Sequence, residues 1–339
     1  MNRPRLLVAA LGIGLSVVAV WVLLRQTDLR ELVDQLRRAR PGWLLAGCLV
    51  TLLGYALRAR RWGVLLAPRA KVTQGRLFGA TVVGFLAINT LPARLGELVR
   101  AYILSRTERI PIGVVLGTIV MERIFDLVLL GAFWALSLLF APYPDWFRWS
   151  GYLTLAAGVV LVGTLWGLHA AHVNEHPVLE RIMGRLPVRV RGPVASGVAS
   201  FSEGLAGIRR PSTVLLATLI SAIQWAVAGS VFLIVGQSMG LALPWWSPFL
   251  LAFVVCVAIM LPTSPGFIGV LEASCVVGVG LLGVDASKGL AFGILYHVTQ
   301  LAPLVVVGSY YAVRGQMGPE VWGGPEGAVA AAEGNKRRQ

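Results

Sequence analysis

Residues 212–236 read STVLLATLISAIQWAVAGSVFLIVG, which is 25 residues without a charged side chain. A second run of the same length, GLAFGILYHVTQLAPLVVVGSYYAV, occupies residues 289–313. A helix needs roughly 20 apolar residues to cross the hydrocarbon core of a bilayer, so each run predicts a transmembrane helix. Of the 339 residues, 56% are hydrophobic and 14% are charged, against about 25% charged residues in soluble domains. The sequence therefore predicts an all-α, polytopic membrane protein.

Six segments have the length and composition of full spans: 6–24, 42–57, 111–141, 151–173, 212–236 and 289–313. We treat residues 1–314 as one transmembrane domain. The tail 315–339 is rich in Gly, Ala and charge, and we expect it to be a disordered cytoplasmic segment. Residues 27–40 carry their apolar side chains on one helical face and predict a short amphipathic helix at the membrane surface.

Two further apolar stretches are short for a span and end in helix-breaking residues. Residues 77–91 stop at PARLGE (92–97), and residues 247–261 stop at PTSPG (262–266). Proline and glycine end helices, and each break is followed by another helix-compatible stretch. We therefore expect two re-entrant hairpins, 77–105 and 246–282, which are broken at Pro92, Gly96, Pro262, Pro265 and Gly266.

Arginine and lysine counts in the short loops set the predicted orientation. Loops 58–76 and 174–211 each carry six of these residues, whereas loop 142–150 carries only Arg148. Basic loops stay in the cytoplasm. This places both termini on the cytoplasmic side of the inner cell membrane. The two hairpins then enter from opposite faces, as expected of an inverted repeat; chance similarity between two proline-broken helices is the alternative explanation.

The densest group of polar residues surrounds the first break, in NTLPARLGELVR (89–100). Arg94, Glu97 and Arg100 are spaced to line one side of the half-helix that follows the break. Free backbone N–H groups at a helix start attract anions, and arginine binds phosphate in a bidentate way. With Asn89, these residues predict a site for phosphate or a phospholipid headgroup. The alternative is an interfacial basic loop with a local Arg–Glu pair.

Three charged residues lie deep inside the apolar run 111–141: Glu122, Arg123 and Asp126. Glu122 lies about 16 Å along the helix from its predicted start, which is near the middle of a bilayer. Charges at that depth usually face a cavity or one another, so the group predicts either a substrate or proton site or a structural ion cluster. The candidate proton carriers are Glu122 and Asp126 of this run and His297 of the last span.

Two other segments carry charge next to apolar runs. Glu272 follows the second break and is expected to project into the same central region as the first candidate site. Arg58, Arg60 and Arg61, with Trp62, end the second span, where the simplest interpretation is a set of arginines that snorkel to the membrane surface.

Four motifs resemble those of a known family: LRARRW (57–62), NTLPARLGELVRA (89–101), ERIFD (122–126) and LPTSPGFIGVLE (261–272). They are similar to segments of the flippase-like transmembrane region of lysylphosphatidylglycerol synthases. The resemblance implies lipid translocation between leaflets. In the bifunctional members this region moves aminoacylated phosphatidylglycerol, and relatives are linked to polyprenyl-phosphate-sugar pathways. We expect this chain to lack lysyl transfer, because the residues after its last span are too few for the cytosolic aminoacyl-transfer domain.

These residues predict translocation of an anionic or phosphate-bearing lipid across the cytoplasmic membrane. No P-loop, zinc-protease or serine-hydrolase motif occurs, so we expect no enzymatic activity, no cofactor and no metal. The alternatives are a membrane-embedded lipid-phosphate-modifying enzyme and a non-transporting scaffold for envelope synthesis. Expected partners are membrane lipids, with lipid-modifying or glycosyl-transfer enzymes and a second copy of the chain as candidates. Nucleic acid is not expected despite the net charge of +14, because the arginines cluster in short loops.

Overall fold

The computed structural model of the chain describes residues 14, 16–23, 25, 27–91, 95–173, 188–205, 210–260 and 264–314. Within these ranges the regular elements are all helical, which confirms the predicted all-α class for this part of the chain. A helical segment at 16–23 is followed by the helices α1 (Leu29–Arg38), α2 (Pro41–Leu66), α3 (Gln74–Thr90), α4 (Gly96–Glu108), α5 (Ile112–Ser137), α6 (Asp145–Val173), α7 (Val188–Gly204), α8 (Pro211–Ser238), α9 (Ser247–Met260), α10 (Val270–Gly280) and α11 (Ala286–Val313).

Three of the described helices are long and apolar enough to cross a membrane: α2, α8 and α11. Helices α2 and α8 pack closely along their lengths, and α11 packs against both of them. Helix α5 has the same length as α2, but Glu122, Arg123 and Asp126 interrupt its apolar sequence. The predicted count of six full spans is not confirmed, and most of the first predicted span, 6–24, lies outside the described residues.

Helix α2 is longer than the sequence suggested. We expected a span at 42–57 followed by a basic loop, but the helix continues to Leu66. Its last turns carry Ala59, Trp62 and Leu66, which are fully buried in a core shared with α3, α4 and α5. Because this apolar face packs against the neighbouring helices, Arg58 and Arg61 lie inside the helix bundle.

The two predicted hairpins fall on two pairs of packed helices, α3 with α4 and α9 with α10, and their re-entrant character is not confirmed. In the first pair, Gly96 lies so close to α3 that an added Cβ would be 2.3 Å from the Gly84 carbonyl oxygen. The turn of the second pair contains a short 3₁₀ helix, Pro265–Phe267, in which Gly266 has a φ of 74°. That conformation favours glycine. Entry of these hairpins into the bilayer from opposite faces stays a prediction.

The tips of the two hairpins lie next to each other. Helix α3 contacts the 3₁₀ turn Pro265–Phe267. A Cβ added at Gly266 would be 3.7 Å from the Asn89 carbonyl oxygen at the end of α3. Pro92 and Pro262, predicted to hold these breaks, lie outside the described residues. The described residues that flank the two breaks therefore lie close together in the fold.

Residues 174–211, expected to be a basic loop, contain helix α7, so that expectation is wrong for residues 188–204. Helix α7 packs closely against α5. A Cβ added at Gly117 would lie 2.5 Å from the Phe201 carbonyl oxygen, and one at Gly204 would lie 2.4 Å from the Val114 carbonyl oxygen. Glycines on both helices allow this approach of the two backbones, and such a contact gives no apolar run in the sequence.

The predicted amphipathic helix is α1. Asp28 caps it through hydrogen bonds from the backbone N–H groups of Arg30 and Glu31. Leu32 is buried against Leu290 of α11. A helix with one apolar stripe is therefore confirmed here, and its position at the membrane surface stays a prediction.

Candidate functional site

A buried charge cluster joins α2, α4 and α5, and it comprises Arg58, Arg61, Glu97, Arg100, Glu122, Arg123 and Asp126. At its centre the Arg61 side chain is fully buried. Arg61 Nη1 donates a hydrogen bond of 2.7 Å to Asp126 Oδ1, and Arg61 Nη2 lies 3.6 Å from Glu122 Oε1. Burying charges is costly unless they are paired, so each of these groups depends on the others.

Arg100 forms the second tight pair of the cluster. Its guanidinium hydrogen-bonds to Glu122 Oε2, and it stacks on the Trp62 ring at 4.0 Å from the ring centroid. Trp62 is held in turn, because its Nε1 donates a hydrogen bond of 3.0 Å to Thr118 Oγ1. Arg100 is itself 2% exposed and is not among the residues that line the neighbouring cavity.

Helix α8 supplies neutral hydrogen-bonding groups to the same cluster. Trp225 Nε1 donates to Asp126 Oδ1 at 3.3 Å, and Ser221 Oγ accepts from Arg61 Nη1 at 3.0 Å. Gln224, between them, is 2% exposed and lines the cavity. Asp126 is thus held from α2 and from α8 at once.

Two arginines of the cluster have longer contacts. Arg58 Nη1 lies 3.4 Å from Asp126 Oδ2, and its guanidinium lies over the Phe85 ring. Arg123 lies 3.7 Å from Glu97 and 3.4 Å from Asp126. The Arg123 Nε is buried and has no hydrogen-bond partner among the described residues. Arg61 and Arg100 also have buried nitrogens without a hydrogen bond among the described residues, so Arg58 and Arg123 are less engaged only in their longer carboxylate contacts.

These less engaged arginines face a cavity of about 250 Å³. Helices α2, α3, α4, α5 and α8 to α11 all contribute to its wall, including the tips of both hairpins. Most of the lining is apolar. The polar side chains in it are Thr51, Tyr55, Arg58, Asn89, Glu97, Arg123, Gln224, Tyr296, His297 and Gln300.

A second polar group lies on α11 and α10. His297 Nδ1 is 2.6 Å from Glu272 Oε1, and Glu272 Oε2 accepts a hydrogen bond of 2.7 Å from the Gly269 N–H. Gln300 Nε2 donates to the Tyr296 hydroxyl at 2.8 Å, and Gln300 Oε1 accepts from Thr51 of α2 at 3.2 Å. This group is separate from the charge cluster, and its members Thr51, Tyr296, His297 and Gln300 line the same cavity.

Comparison with known proteins identifies the family of this chain. The sequence profile described as the lysylphosphatidylglycerol synthase TM region matches residues 9–308. The chain belongs to this family. The match covers every described helix from α1 to α10 and most of α11, so the cluster and the cavity both lie within the region that defines the family.

Curated relatives in the family are distant. Glycosyltransferase AglD of Haloferax volcanii is 23% identical over 90% of this chain, which spans only 54% of the length of AglD. The UPF0104 membrane protein MJ1078 of Methanocaldococcus jannaschii is 25% identical over 67% of this chain and 94% of its own length. A UPF0104 membrane protein of Methanothermobacter thermautotrophicus is 24% identical over 83% of this chain and 88% of its own length. With its apolar helices and these relatives, the chain is a membrane protein.

The structure of this family member brings most of the predicted site residues together. Glu97, Arg100, Glu122, Arg123 and Asp126 meet in the charge cluster, although their sequence positions are up to 29 apart. Glu272 contacts His297 instead of the cluster.

Other predicted residues have different placements. Asn89 lines the cavity, but its amide donates a hydrogen bond to the Phe85 carbonyl oxygen. Arg94 lies outside the described residues. Gly96 begins α4, and Pro265 and Gly266 form the 3₁₀ turn at the second tip.

Sequence reasoning missed Arg58 and Arg61 as members of the cluster. The interpretation of Arg61 as a snorkelling residue is wrong, because its side chain is fully buried against Asp126. Arg60, by contrast, is exposed. The available signal was helical spacing: Arg58, Arg61 and Trp62 share one face of α2, whereas Arg60 points elsewhere. Trp225 and Gln224 lie in an uncharged run and gave no signal.

Proposed function

We propose that this chain moves a lipid with an anionic, phosphate-bearing headgroup across the cytoplasmic membrane, and that Arg58 and Arg123 contact the headgroup in the cavity. The observation that carries the proposal is the charge balance of the cluster. Four arginines face three carboxylates, so the described cluster has one excess positive charge. An anionic group in the cavity would neutralise it.

The distribution of contacts supports the same assignment. Arg61 and Arg100 each have a close carboxylate partner, whereas the carboxylate contacts of Arg58 and Arg123 are 3.4 Å or longer and both residues line the cavity. Guanidinium groups bind phosphate through paired hydrogen bonds, and the unpartnered Nε of Arg123 is one available donor. We therefore assign a positioning role to Arg61 and Arg100 and the headgroup contact to Arg58 and Arg123.

The size of the cavity fits a headgroup better than a whole lipid. Its volume of about 250 Å³ is close to the lower end of the roughly 300–1,000 Å³ found for small-molecule sites. Acyl chains would remain in the surrounding lipid while the headgroup passes through the protein. Broken helices at a site within the membrane are a recurring feature of transporters, and both hairpin tips line this cavity.

We also propose that transport is coupled to a proton and that His297 takes part in this coupling. Glu122 and Asp126 are each in contact with at least two arginines, so we assign them a role in holding the cluster together. His297 is paired with one carboxylate and lines the cavity, so it remains the candidate for proton coupling.

The enzyme and scaffold alternatives remain outcomes of the tests. A relative is named as a glycosyltransferase, but it is 23% identical and this chain spans about half of it. We propose a transport function without catalysis. The Nδ1 of His297, a possible general base of the cavity, is paired with the Glu272 carboxylate.

The first test is mass spectrometry of the lipids that co-purify with the full chain. We expect a phosphate-bearing lipid to be enriched with the wild-type protein and lost from Arg123→Gln. The matched control is Arg38→Gln, which removes an arginine whose side chain is 74% exposed in a pair with Asp34. If the wild type and Arg123→Gln carry the same bulk lipids in the same proportions, the headgroup assignment is wrong and the scaffold alternative gains support.

A further inference from the structure

The cavity contains a second polar group that the charge cluster does not explain, and its key atom is His297 Nε2. His297 is 8% exposed and lines the cavity. Its Nδ1 is taken by Glu272, while its Nε2 is buried and has no hydrogen-bond partner among the described residues. A buried polar atom without a hydrogen-bond partner is unfavourable, so we expect a ligand group to hydrogen-bond to this atom.

The surroundings of His297 are neutral on the cavity side. Glu272 is not among the lining residues, and both of its oxygens are occupied, one by His297 and the other by the Gly269 N–H. Thr51, Tyr296 and Gln300 line the cavity and hydrogen-bond to one another. A ligand in this place meets hydroxyl, amide and imidazole groups, not a free carboxylate.

This neutral group lies at a different level from the arginines. Thr51 and Arg58 line the cavity from the same helix, seven residues apart, which corresponds to about 10 Å along the axis. Helix α8 has the same spacing, since Trp225 contacts Asp126 and Phe232, seven residues later, stacks on Tyr296. About 10 Å is the distance that a phosphate and a short polyol cover together with their hydrogen bonds.

A hydroxyl is the ligand group that best fits His297 Nε2. An ionised carboxylate only accepts hydrogen bonds, so with Glu272 ionised the Nδ1 carries the proton and a neutral imidazole offers Nε2 as an acceptor. A hydroxyl donates to that acceptor, and it also accepts from Nε2–H when the imidazole is protonated. An ammonium group on the ligand could hydrogen-bond only to the neutral imidazole of His297. Such a group would bind better beside a carboxylate that faced the cavity.

We infer that His297, Gln300 and Thr51 form a second subsite that binds a hydroxyl-bearing part of the headgroup, beyond the phosphate held by Arg58 and Arg123. The inference rests on the proposed function, because it assumes a lipid phosphate at the arginines. It narrows the substrate class to lipid phosphates esterified to a hydroxylated, uncharged group.

The test compares lipids that differ in their hydroxyl groups. Phosphatidylglycerol and phosphatidylpropanol have the same charge and the same number of headgroup carbons, but only the first has headgroup hydroxyls. Binding to the full chain in detergent is measured by native mass spectrometry. We expect the wild type to bind phosphatidylglycerol about tenfold more tightly, as one or two net hydrogen bonds would produce.

Variants separate the two subsites. His297→Gln and Gln300→Leu should lose the preference and keep the affinity for phosphatidylpropanol; Gln300→Leu leaves the Glu272–His297 pair in place, in case His297→Gln folds poorly. Val298→Ala is the control, because Val298 lies on the same helix, is exposed and does not line the cavity. It should keep the wild-type preference.

Equal wild-type affinity for the two lipids would overturn the second subsite, as would tighter binding of phosphatidylethanolamine, whose ammonium would then identify Glu272 as a cation site. The proposed function is tested by a different variant. If Arg123→Gln binds both lipids as the wild type does, or if the wild type binds neither, the arginine site itself is wrong and the second subsite falls with it.

Discussion

At the scale of the residue, the four arginines of the charge cluster have different environments. The contact between Arg123 and Asp126 at 3.4 Å joins residues three positions apart, a spacing at which side chains meet on one helix face. The pairs Arg61–Asp126 and Arg100–Glu122 join residues 65 and 22 positions apart, and helical spacing gives no information about them. Local pairs could thus be predicted from the sequence, whereas the partners that neutralise the deepest carboxylates depend on helix packing.

Arg61→Gln should destabilise the protein strongly, because it leaves Asp126 and Glu122 without their central partner. Removing one member of a buried pair costs about 3–5 kcal/mol. Arg38→Gln is a matched control, since the Arg38–Asp34 and Arg61–Asp126 pairs have the same N–O distance of 2.7 Å but differ in exposure. Exposed pairs contribute about 0–1 kcal/mol. Thermal unfolding in detergent measures both, and similar losses for the two variants would contradict the central role of Arg61.

Glu97→Gln should abolish transport while changing stability little. Glu97 is 28% exposed and lies 3.7 Å from Arg123, so its contribution to stability is small. Its charge competes with the lipid phosphate for Arg123, and without it we expect the anion to be retained. Leaflet exchange should fall while the amount of co-purified lipid stays the same or rises. Loss of both exchange and bound lipid would instead indicate a structural role for Glu97.

At the scale of the element, prolines and glycines predicted where α3 and α9 end, because these residues act locally on the backbone. The end of α2 and the whole of α7 could not be predicted in the same way. Helix α2 continues past Arg58 because Trp62 and Leu66 are buried by neighbouring helices. Helix α7 packs through glycine contacts with α5, and glycine does not produce a hydrophobic pattern.

Gly96→Ala should separate α3 from α4 and displace Glu97 and Arg100. An added Cβ would be 2.3 Å from the Gly84 carbonyl oxygen, where the backbone cannot yield without a shift of the helix. We expect a loss of about 1–3 kcal/mol in stability together with loss of leaflet exchange. Gly75→Ala is the control, since nothing lies within 4 Å of its added Cβ. Wild-type behaviour of Gly96→Ala would mean that the close approach of the hairpin is not required.

At the scale of the whole molecule, the cavity exists only because distant parts of the chain meet. Its wall combines α2, α5, α8 and α11 with both hairpins, from Val50 to Leu304. The sequence indicated which segments are apolar and which are broken, and it placed charges at depth. It could not indicate that Thr51 and Gln300 face each other across this space, because that contact joins residues 249 positions apart.

The predicted topology places loop 58–76 in the cytoplasm and loop 142–150 outside. Single cysteines at exposed positions test it in a chain in which Cys48, Cys256 and Cys275 are replaced by serine. A membrane-impermeant maleimide added to intact cells should label Pro142→Cys, and it should label Lys71→Cys only after the membrane is permeabilised. The reverse pattern would invert the orientation, and it would exchange the sides of the membrane from which the hairpins enter.

The most direct test of the central claim is a leaflet-exchange assay with the purified full chain in vesicles that contain a fluorescent phosphatidylglycerol. A reductant that cannot cross the membrane is added outside, and the remaining fluorescence reports the inner leaflet. We predict that vesicles with the wild type or Arg38→Gln lose the inner-leaflet signal, that vesicles with Arg123→Gln retain it, and that a fluorescent phosphatidylcholine exchanges more slowly. Equal exchange with the wild type and with Arg123→Gln would contradict the proposed headgroup site. Failure of the wild type to exchange both phosphatidylglycerol and the phosphate lipid that co-purifies with it would contradict the transport function.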